Sequence, residues 1–135
     1  MKALLTIAIA AVVISSFGCR QASNFAGRRD PIVEEDYPQI AVVEGLHRKV
    51  VFSRPAVTDA PNQPMSVVVG VSNKTRSKNM HIQYKFEFYD QNKVPVEPMM
   101  QWKYQLLPHA AEVKLIGAAL DTKARDWRLV MRPAR

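Results

Sequence analysis

Apolar and polar residues alternate along three segments of this chain, and this alternation restricts the possible folds more than any other feature. In an extended strand, successive side chains point to opposite faces, so a period of two gives the strand one apolar and one polar face. Such a strand suits a sheet that has one face on a core and the other in water. The apolar positions are Met65, Val67, Val69 and Val71, then Met80, Ile82, Tyr84, Phe86 and Phe88, and finally Trp127, Leu129 and Met131.

Four further segments are candidate strands, at residues 39–44, 48–54, 101–106 and 112–118. A polar connection at 73–79 and a tight turn at 90–93 separate neighbouring strands, because Asp and Asn favour turn conformations. Pro95 and Pro98 exclude the stretch around them from a central strand, since proline cannot donate to the ladder. No segment after residue 38 carries a sustained helical stripe. About seven short strands therefore predict an all-β fold, a single immunoglobulin-like antiparallel β-sandwich.

The first 18 residues predict a signal peptide that ends at the single cysteine of the chain. Lys2 precedes an uncharged segment, residues 3–18, and small residues stand near Cys19. A positive start, a short apolar stretch and small residues before the cleavage site are typical of exported proteins. A lone cysteine at this boundary favours a bacterial lipoprotein, with Cys19 acylated by diacylglyceryl and palmitate and inserted in a lipid bilayer. Simple secretion with a free cysteine, or an uncleaved signal anchor, remain alternatives.

Cleavage before Cys19 would leave 117 of the 135 residues, enough for one domain. Residues 19–38 predict a lipidated N-terminus and tether, since they mix charges, glycine and prolines without periodicity. An alternative is that the charges of this segment dock on the domain or on a partner. Residues 39–135 form the predicted sandwich. Arg20 after the cysteine resembles lipoproteins exported to the outer membrane, which places the expected site at its periplasmic face.

The chain is basic, with 19 Lys and Arg against 12 Asp and Glu. In an exported protein this charge does not indicate nucleic acid; lipid head groups and cell-wall polymers are the available anions. We predict that Lys85, Arg128 and Arg132 share the solvent face of the sheet and form an anionic-ligand patch. The alternative is that these cations only prevent aggregation between sheet edges.

A second candidate surface lies in the segment that follows Pro98. Met99, Met100, Trp102 and Tyr104 combine adaptable methionines with two aromatic residues that fall on one face of a strand. Such side chains are frequent in protein interfaces, so we predict a partner contact here. The alternative is that they cover one edge of the core.

Three segments resemble the YcfL-like lipoproteins of Gram-negative bacteria. They are residues 66–75, which end in Asn-Lys-Thr, residues 81–90, which end in Tyr-Asp, and the closing segment 127–132. The resemblance covers about residues 65–133. It implies a small lipoprotein with one β-sandwich domain, in a family whose function is largely undefined, and it carries no catalytic or binding residues over to this chain.

Residues suited to catalysis are few and scattered. His47, His81 and His109 lack the short spacings of metal sites, and no serine stands in a nucleophile motif. Carboxylates such as Glu87, Asp90 and Glu97 are typical of a polar sheet face and its turns. We therefore expect no enzymatic activity, no cofactor and no metal. The expected function is a non-enzymatic binding or assembly module that contacts an envelope protein; the alternative is a binder of an anionic envelope polymer or lipid.

Overall fold

Eight β-strands and one 3₁₀ turn make up the part of the chain that the computed structural model describes, residues 36–75, 77–97 and 101–135. The turn spans Leu46–Arg48. In chain order the strands are β1 (Ile40–Val42), β2 (Val50–Phe52), β3 (Ala56–Thr58), β4 (Ser66–Asn73), β5 (Met80–Tyr89), β6 (Lys103–Leu107), β7 (Glu112–Ala118) and β8 (Asp126–Pro133).

The strands form two four-stranded sheets. In the first sheet the order is β1-β8-β5-β6. In the second sheet β7 pairs along the whole of β4 on one side, while β2 and β3 pair with the two ends of β4 on the other side. The predicted all-β sandwich is therefore confirmed.

Two details differ from the sequence prediction. Strand β3 lies in a segment where no strand was predicted, because its three residues between Pro55 and Asp59 are too few to show an alternation. Strand β1 pairs with β8 in parallel, with Ile40 opposite Leu129, whereas an entirely antiparallel sandwich was predicted. After β1 the chain passes through residues 43–49 and enters β2 of the other sheet, so the parallel pair joins the first and the last strand.

The core lies between the two sheets and uses the residues that the alternation indicated. Val67, Val69 and Val71 of β4 are fully buried, and they share one apolar cluster with Phe86 and Phe88 of β5. Each fully buried side chain of this size contributes about 1.5–3 kcal/mol through removal of its surface from water. The same alternation leaves the intervening residues of β5 and β8 on the opposite side of the first sheet.

A glycine brings the two sheets close together at one point. A Cβ atom added to Gly117 of β7 would collide with the ring of Phe86. The Phe86 ring also lies 6.3 Å from the Trp127 ring, measured between centroids. The ring is thus fixed between the sheets, and only glycine fits at position 117.

Tyr37 lies just before β1 and packs against the core, although the sequence analysis placed it in the tether. Its carbonyl oxygen accepts a hydrogen bond of 2.8 Å from the amide of Ile40, which closes a turn into β1. The described fold therefore includes residues immediately before position 39. In residues 36–75, 77–97 and 101–135, no helix is long and apolar enough to cross a membrane.

Candidate interaction face

The strand register brings the two predicted surfaces together on the outer face, by which we mean the face of the first sheet that is turned away from the core. Across β5 and β8, Gln83 is opposite Arg132 and Lys85 is opposite Val130. Across β5 and β6, Gln83 is also opposite Tyr104. Directly opposite residues share a face of the sheet. The basic residues and the aromatic residues therefore form one surface rather than two.

Trp102 stands immediately before β6, and its ring is the centre of this surface. The guanidinium carbon of Arg132 lies 4.0 Å from the ring centroid, and Lys85 Nζ lies 5.2 Å from it. Both distances fall within the range of cation–π attraction, which stabilises an exposed pair by about 0.5–1 kcal/mol and a desolvated pair by about 2 kcal/mol. Trp102 is half-buried by these contacts, so its ring lies against the sheet.

The cations of the outer face are engaged within the protein. Lys85 Nζ lies 2.6 Å from a carboxylate oxygen of Glu87. Arg132 Nε donates a hydrogen bond of 2.7 Å to the side-chain oxygen of Gln83. Arg128 lies over the ring of Tyr89, 5.9 Å from its centroid. The structure therefore places Lys85, Arg128 and Arg132 on one face, as predicted, but within a mixed network that includes a carboxylate.

Tyr89 extends this network at the end of β5. Its hydroxyl donates a hydrogen bond of 2.8 Å to the second carboxylate oxygen of Glu87. Burial, together with this hydrogen bond, raises the pKa of Tyr89 to about 12. The hydroxyl is therefore protonated at physiological pH, where it acts as the donor that fixes the Glu87 carboxylate.

Val130 is fully buried although it points away from the core. It lies on β8 between Arg128 and Arg132 and opposite Lys85. The apolar stems of long basic side chains commonly cover such a residue while their charged ends stay in water. The outer face thus has a small apolar layer beneath its charges, which favours an ordered surface.

Tyr104 is the exposed part of the outer face, with 68% of its surface accessible, and Leu106 beside it on β6 is 40% accessible. A cleft of about 290 Å³ lies next to Tyr104, and Arg132 and Arg135 contribute to its lining. Arg135 also lies 3.3 Å from a carboxylate oxygen of Glu44. Aromatic side chains with a polar end suit a surface that is wet when free and buried when bound.

Other predicted residues lie either outside the described residues or in loops. Cys19, Met99 and Met100 lie outside the described residues. Asp90 accepts hydrogen bonds from backbone amides of its own turn, and Glu97 accepts one from the backbone amide of Leu120. These two carboxylates thus stabilise loops, whereas Glu87 belongs to the outer face.

The three histidines lie apart from one another, in the 3₁₀ turn, in β5 and in the β6–β7 connection. Nδ1 of His109 lies 3.1 Å from the side-chain oxygen of Asn79. Among residues 36–75, 77–97 and 101–135, no group of His, Cys, Asp and Glu is arranged to hold a metal ion.

Sequence reasoning missed the roles of Gln83, Glu87 and Tyr89. Lys85, Glu87 and Tyr89 are spaced two residues apart on one strand, so the alternation itself could have indicated that they share a face. The contact of Trp102 with Arg132 had no local signal, because it depends on the register of β6 and β8 against β5.

Comparison with known proteins identifies the family of this chain. The family model described as "Protein of unknown function (DUF1425)" matches residues 39–133. The chain belongs to the DUF1425 family. The match spans all eight strands of the DUF1425 domain, from β1 to β8. No match is found among curated proteins.

Two solved structures share the fold of the DUF1425 domain. The crystal structure of Campylobacter jejuni cj0090 superposes with a TM-score of 0.60 at 17% sequence identity, over 71% of this chain and 98% of that one. A DUF1425 family member from Shewanella sp. pv-4 superposes with a TM-score of 0.56 at 24% identity, over 64% of this chain and 79% of that one. At these identities the similarity establishes the fold alone. The function is inferred from the surface residues of this chain.

Proposed function

We propose that this DUF1425 protein is a membrane-anchored lipoprotein that binds a protein of the bacterial cell envelope through its outer face. In this proposal it is one of the YcfL-like lipoproteins, is anchored through acylated Cys19 at the periplasmic face of the outer membrane, and has no enzymatic activity. The observation that carries the proposal is the position of Trp102, in contact with two cations and near the exposed Tyr104.

The physical argument for protein binding is the preorganisation of this face. Interfaces are rich in Trp, Tyr and Arg near their centre, with charged residues paired around them. Here Trp102 and Arg132 are already fixed in the free protein by their mutual contact and by Gln83. Little conformational entropy of these two side chains is therefore lost when a partner binds. Tyr104 supplies exposed aromatic surface.

The anchor is tested by labelling and fractionation. The full chain expressed in its host should incorporate labelled palmitate and partition with membranes. Cys19→Ser should lose the label and move to the soluble fraction. Incorporation of label by Cys19→Ser, or unchanged membrane association of that variant, would contradict the anchor.

The binding role is tested by comparing variants of the tagged, lipidated chain after chemical crosslinking in cells. Trp102→Ala and Tyr104→Ala should deplete the same crosslinked protein about tenfold, as expected for central interface residues that cost 1–2 kcal/mol or more. Ile116→Ala is the matched control, because Ile116 is also exposed but lies on the second sheet. Equal loss in the control would show that the outer face is not the interface.

A second candidate function is binding of an anionic envelope polymer or lipid. It is favoured by the cleft in which Arg132 and Arg135 stand beside Tyr104, since two guanidinium groups against the one carboxylate of Glu44 leave positive charge that suits a carboxylate or phosphate. Charge reversal with Arg132→Glu and Arg135→Glu should then abolish pull-down by isolated cell wall or anionic liposomes. Unchanged pull-down would reject this candidate.

A further inference from the structure

A second surface lies at the edge of the second sheet, where β2 borders a groove of about 570 Å³. Tyr37 lies on one side of the groove and the strand β2 on the other, and Arg48 and Lys74 contribute to its lining. The groove is separate from the outer face, because β2 belongs to the other sheet. It is larger than the cleft beside Tyr104.

Among the described residues, no hydrogen-bond partner is found for the backbone groups of β2 on this side. The amide of Lys74 donates to the carbonyl of Lys49 at 2.8 Å, and the amide of Ser53 donates to the carbonyl of Gly70 at 2.9 Å. Backbone groups in an antiparallel strand alternate between the two neighbours. With residues 49 and 53 bonded towards β4, the amide and carbonyl groups of Val50 and Phe52 point the other way. In the described ranges no strand pairs with β2 on that side.

The rim of the groove carries cations that pair with no carboxylate among the described residues. Arg48 and Lys74 are exposed. Lys74 Nζ donates only to the backbone oxygen of His47, at 3.3 Å. By contrast, five cations elsewhere stand within 4 Å of a carboxylate: Lys85, Lys93, Lys123, Arg125 and Arg135.

The groove also offers apolar contact next to these charges. Val51 is 49% exposed, and Phe52 and Tyr37 are half-buried. Of the lining residues that the structure describes, Asp36 is the one carboxylate, so Arg48 and Lys74 outnumber it. An occupant must therefore combine an extended backbone, apolar side chains and negative charge.

We propose that this groove binds an extended acidic peptide segment of a partner protein, which adds to the free edge of β2 as a further strand. The segment's backbone would pair with Phe52, because Val50 is only 3% exposed. Its apolar side chains would contact Val51 and Tyr37, and its carboxylates would meet Arg48 and Lys74. Strand addition of this kind takes affinity from backbone hydrogen bonds and specificity from side-chain pockets. The inference rests on the proposed protein-binding role and names a second contact with its own chemistry.

The test uses a fluorescein-labelled peptide of alternating valine and glutamate, with the detergent-solubilised full chain, and follows fluorescence anisotropy. The peptide should bind, and a peptide with lysine in place of glutamate should not. Methylation of alternate backbone amides in the valine–glutamate peptide should weaken binding about tenfold or more, because it removes the donors for the ladder. Equal binding of the lysine or methylated peptide would overturn the proposal.

Variants of the protein separate this groove from the outer face. Arg48→Gln and Lys74→Gln should each weaken binding of the peptide about two- to fivefold, the effect of one exposed charge pair. Lys114→Gln is the matched control, since Lys114 is exposed on β7 at the far side of β4. Trp102→Ala should leave peptide affinity unchanged, so failure of the outer-face proposal and failure of this one give different results.

One further variant tests whether the occupant belongs to another protein. Glu34, Glu35 and Asp36 form an acidic run just before Tyr37. Affinity for the peptide should be the same in the chain with Glu34→Gln and Glu35→Gln. A marked increase in that variant would show that this chain's own acidic run competes for the groove, and would overturn the assignment to a partner.

Discussion

Replacement of Trp102 by alanine tests whether cation–π contacts stabilise the outer face. The substitution removes two cation–π contacts, at 4.0 Å to Arg132 and 5.2 Å to Lys85. A cation–π pair contributes about 0.5–1 kcal/mol when exposed and about 2 kcal/mol when desolvated. For the two pairs of this half-buried ring together, we expect about 2 kcal/mol of the free energy of unfolding. For a domain of this size that loss lowers Tm by about 8–16 °C.

The measurement is urea and thermal unfolding of the chain with Cys19→Ser, with and without the substitution. Tyr104→Ala is the control, because that side chain is largely in water, and its effect should stay within about 0.5 kcal/mol. A double-mutant cycle of Trp102→Ala with Arg132→Ala should give a coupling energy of about 1 kcal/mol. A loss below about 0.5 kcal/mol for Trp102→Ala, or a coupling energy of zero, would refute the reasoning.

Three further predictions concern the fold and its titration. Gly117→Ala should destabilise the domain by about 1–3 kcal/mol, because its Cβ would collide with Phe86. In a double-mutant cycle, Phe86→Leu should relieve much of that cost, and additive effects would contradict the close approach. Asn73→Ala should cost about 2 kcal/mol in urea melts, because the buried amide donates to the carbonyls of Lys78 and Leu107, whereas exposed Asn92→Ala should cost much less. Since folding raises the pKa of Tyr89 from 10 to about 12, the folded state holds its proton more tightly, so this stabilisation is complete below pH 10 and is lost as the pH rises towards 12. Tyr89→Phe should flatten this part of the pH profile, and an unchanged slope would contradict the assignment.

The strands with a strong local pattern were predictable from the sequence. Segments 65–71, 80–88 and 127–131 alternate over long runs, and β4, β5 and β8 lie there. Their inward residues form the core because a one-residue shift in register would expose the whole apolar set. Sequence alone was therefore sufficient for the fold class and for most of the core.

The parts that depend on distant residues were not predictable. Strand β3 is defined only by its pairing with β4, and the parallel pairing of β1 with β8 joins segments about 90 residues apart. The contact between Trp102 and Arg132 requires that β6 and β8 both pair with β5 in the observed register. Pairing over such separations leaves no periodic signal in the segment itself.

The charges of the outer face illustrate the same limit. The sequence indicated that Lys85, Arg128 and Arg132 would share a face, and the structure brings them together. It also places Glu87 and Gln83 among them. A count of positive residues predicts attraction for anions, whereas the geometry gives a mixed network in which Glu87 pairs with Lys85 and Gln83 accepts from Arg132.

The most direct test of the central claim is site-specific photo-crosslinking of the lipidated protein in living cells. A photoreactive amino acid at position 104 should capture one envelope protein, and the crosslink should diminish about tenfold when Trp102→Ala is added. The same amino acid at position 116, exposed on the other sheet, should capture none of that protein. Equal capture from both positions, or a crosslink at 104 that is indifferent to Trp102→Ala, would contradict the outer face as the binding surface.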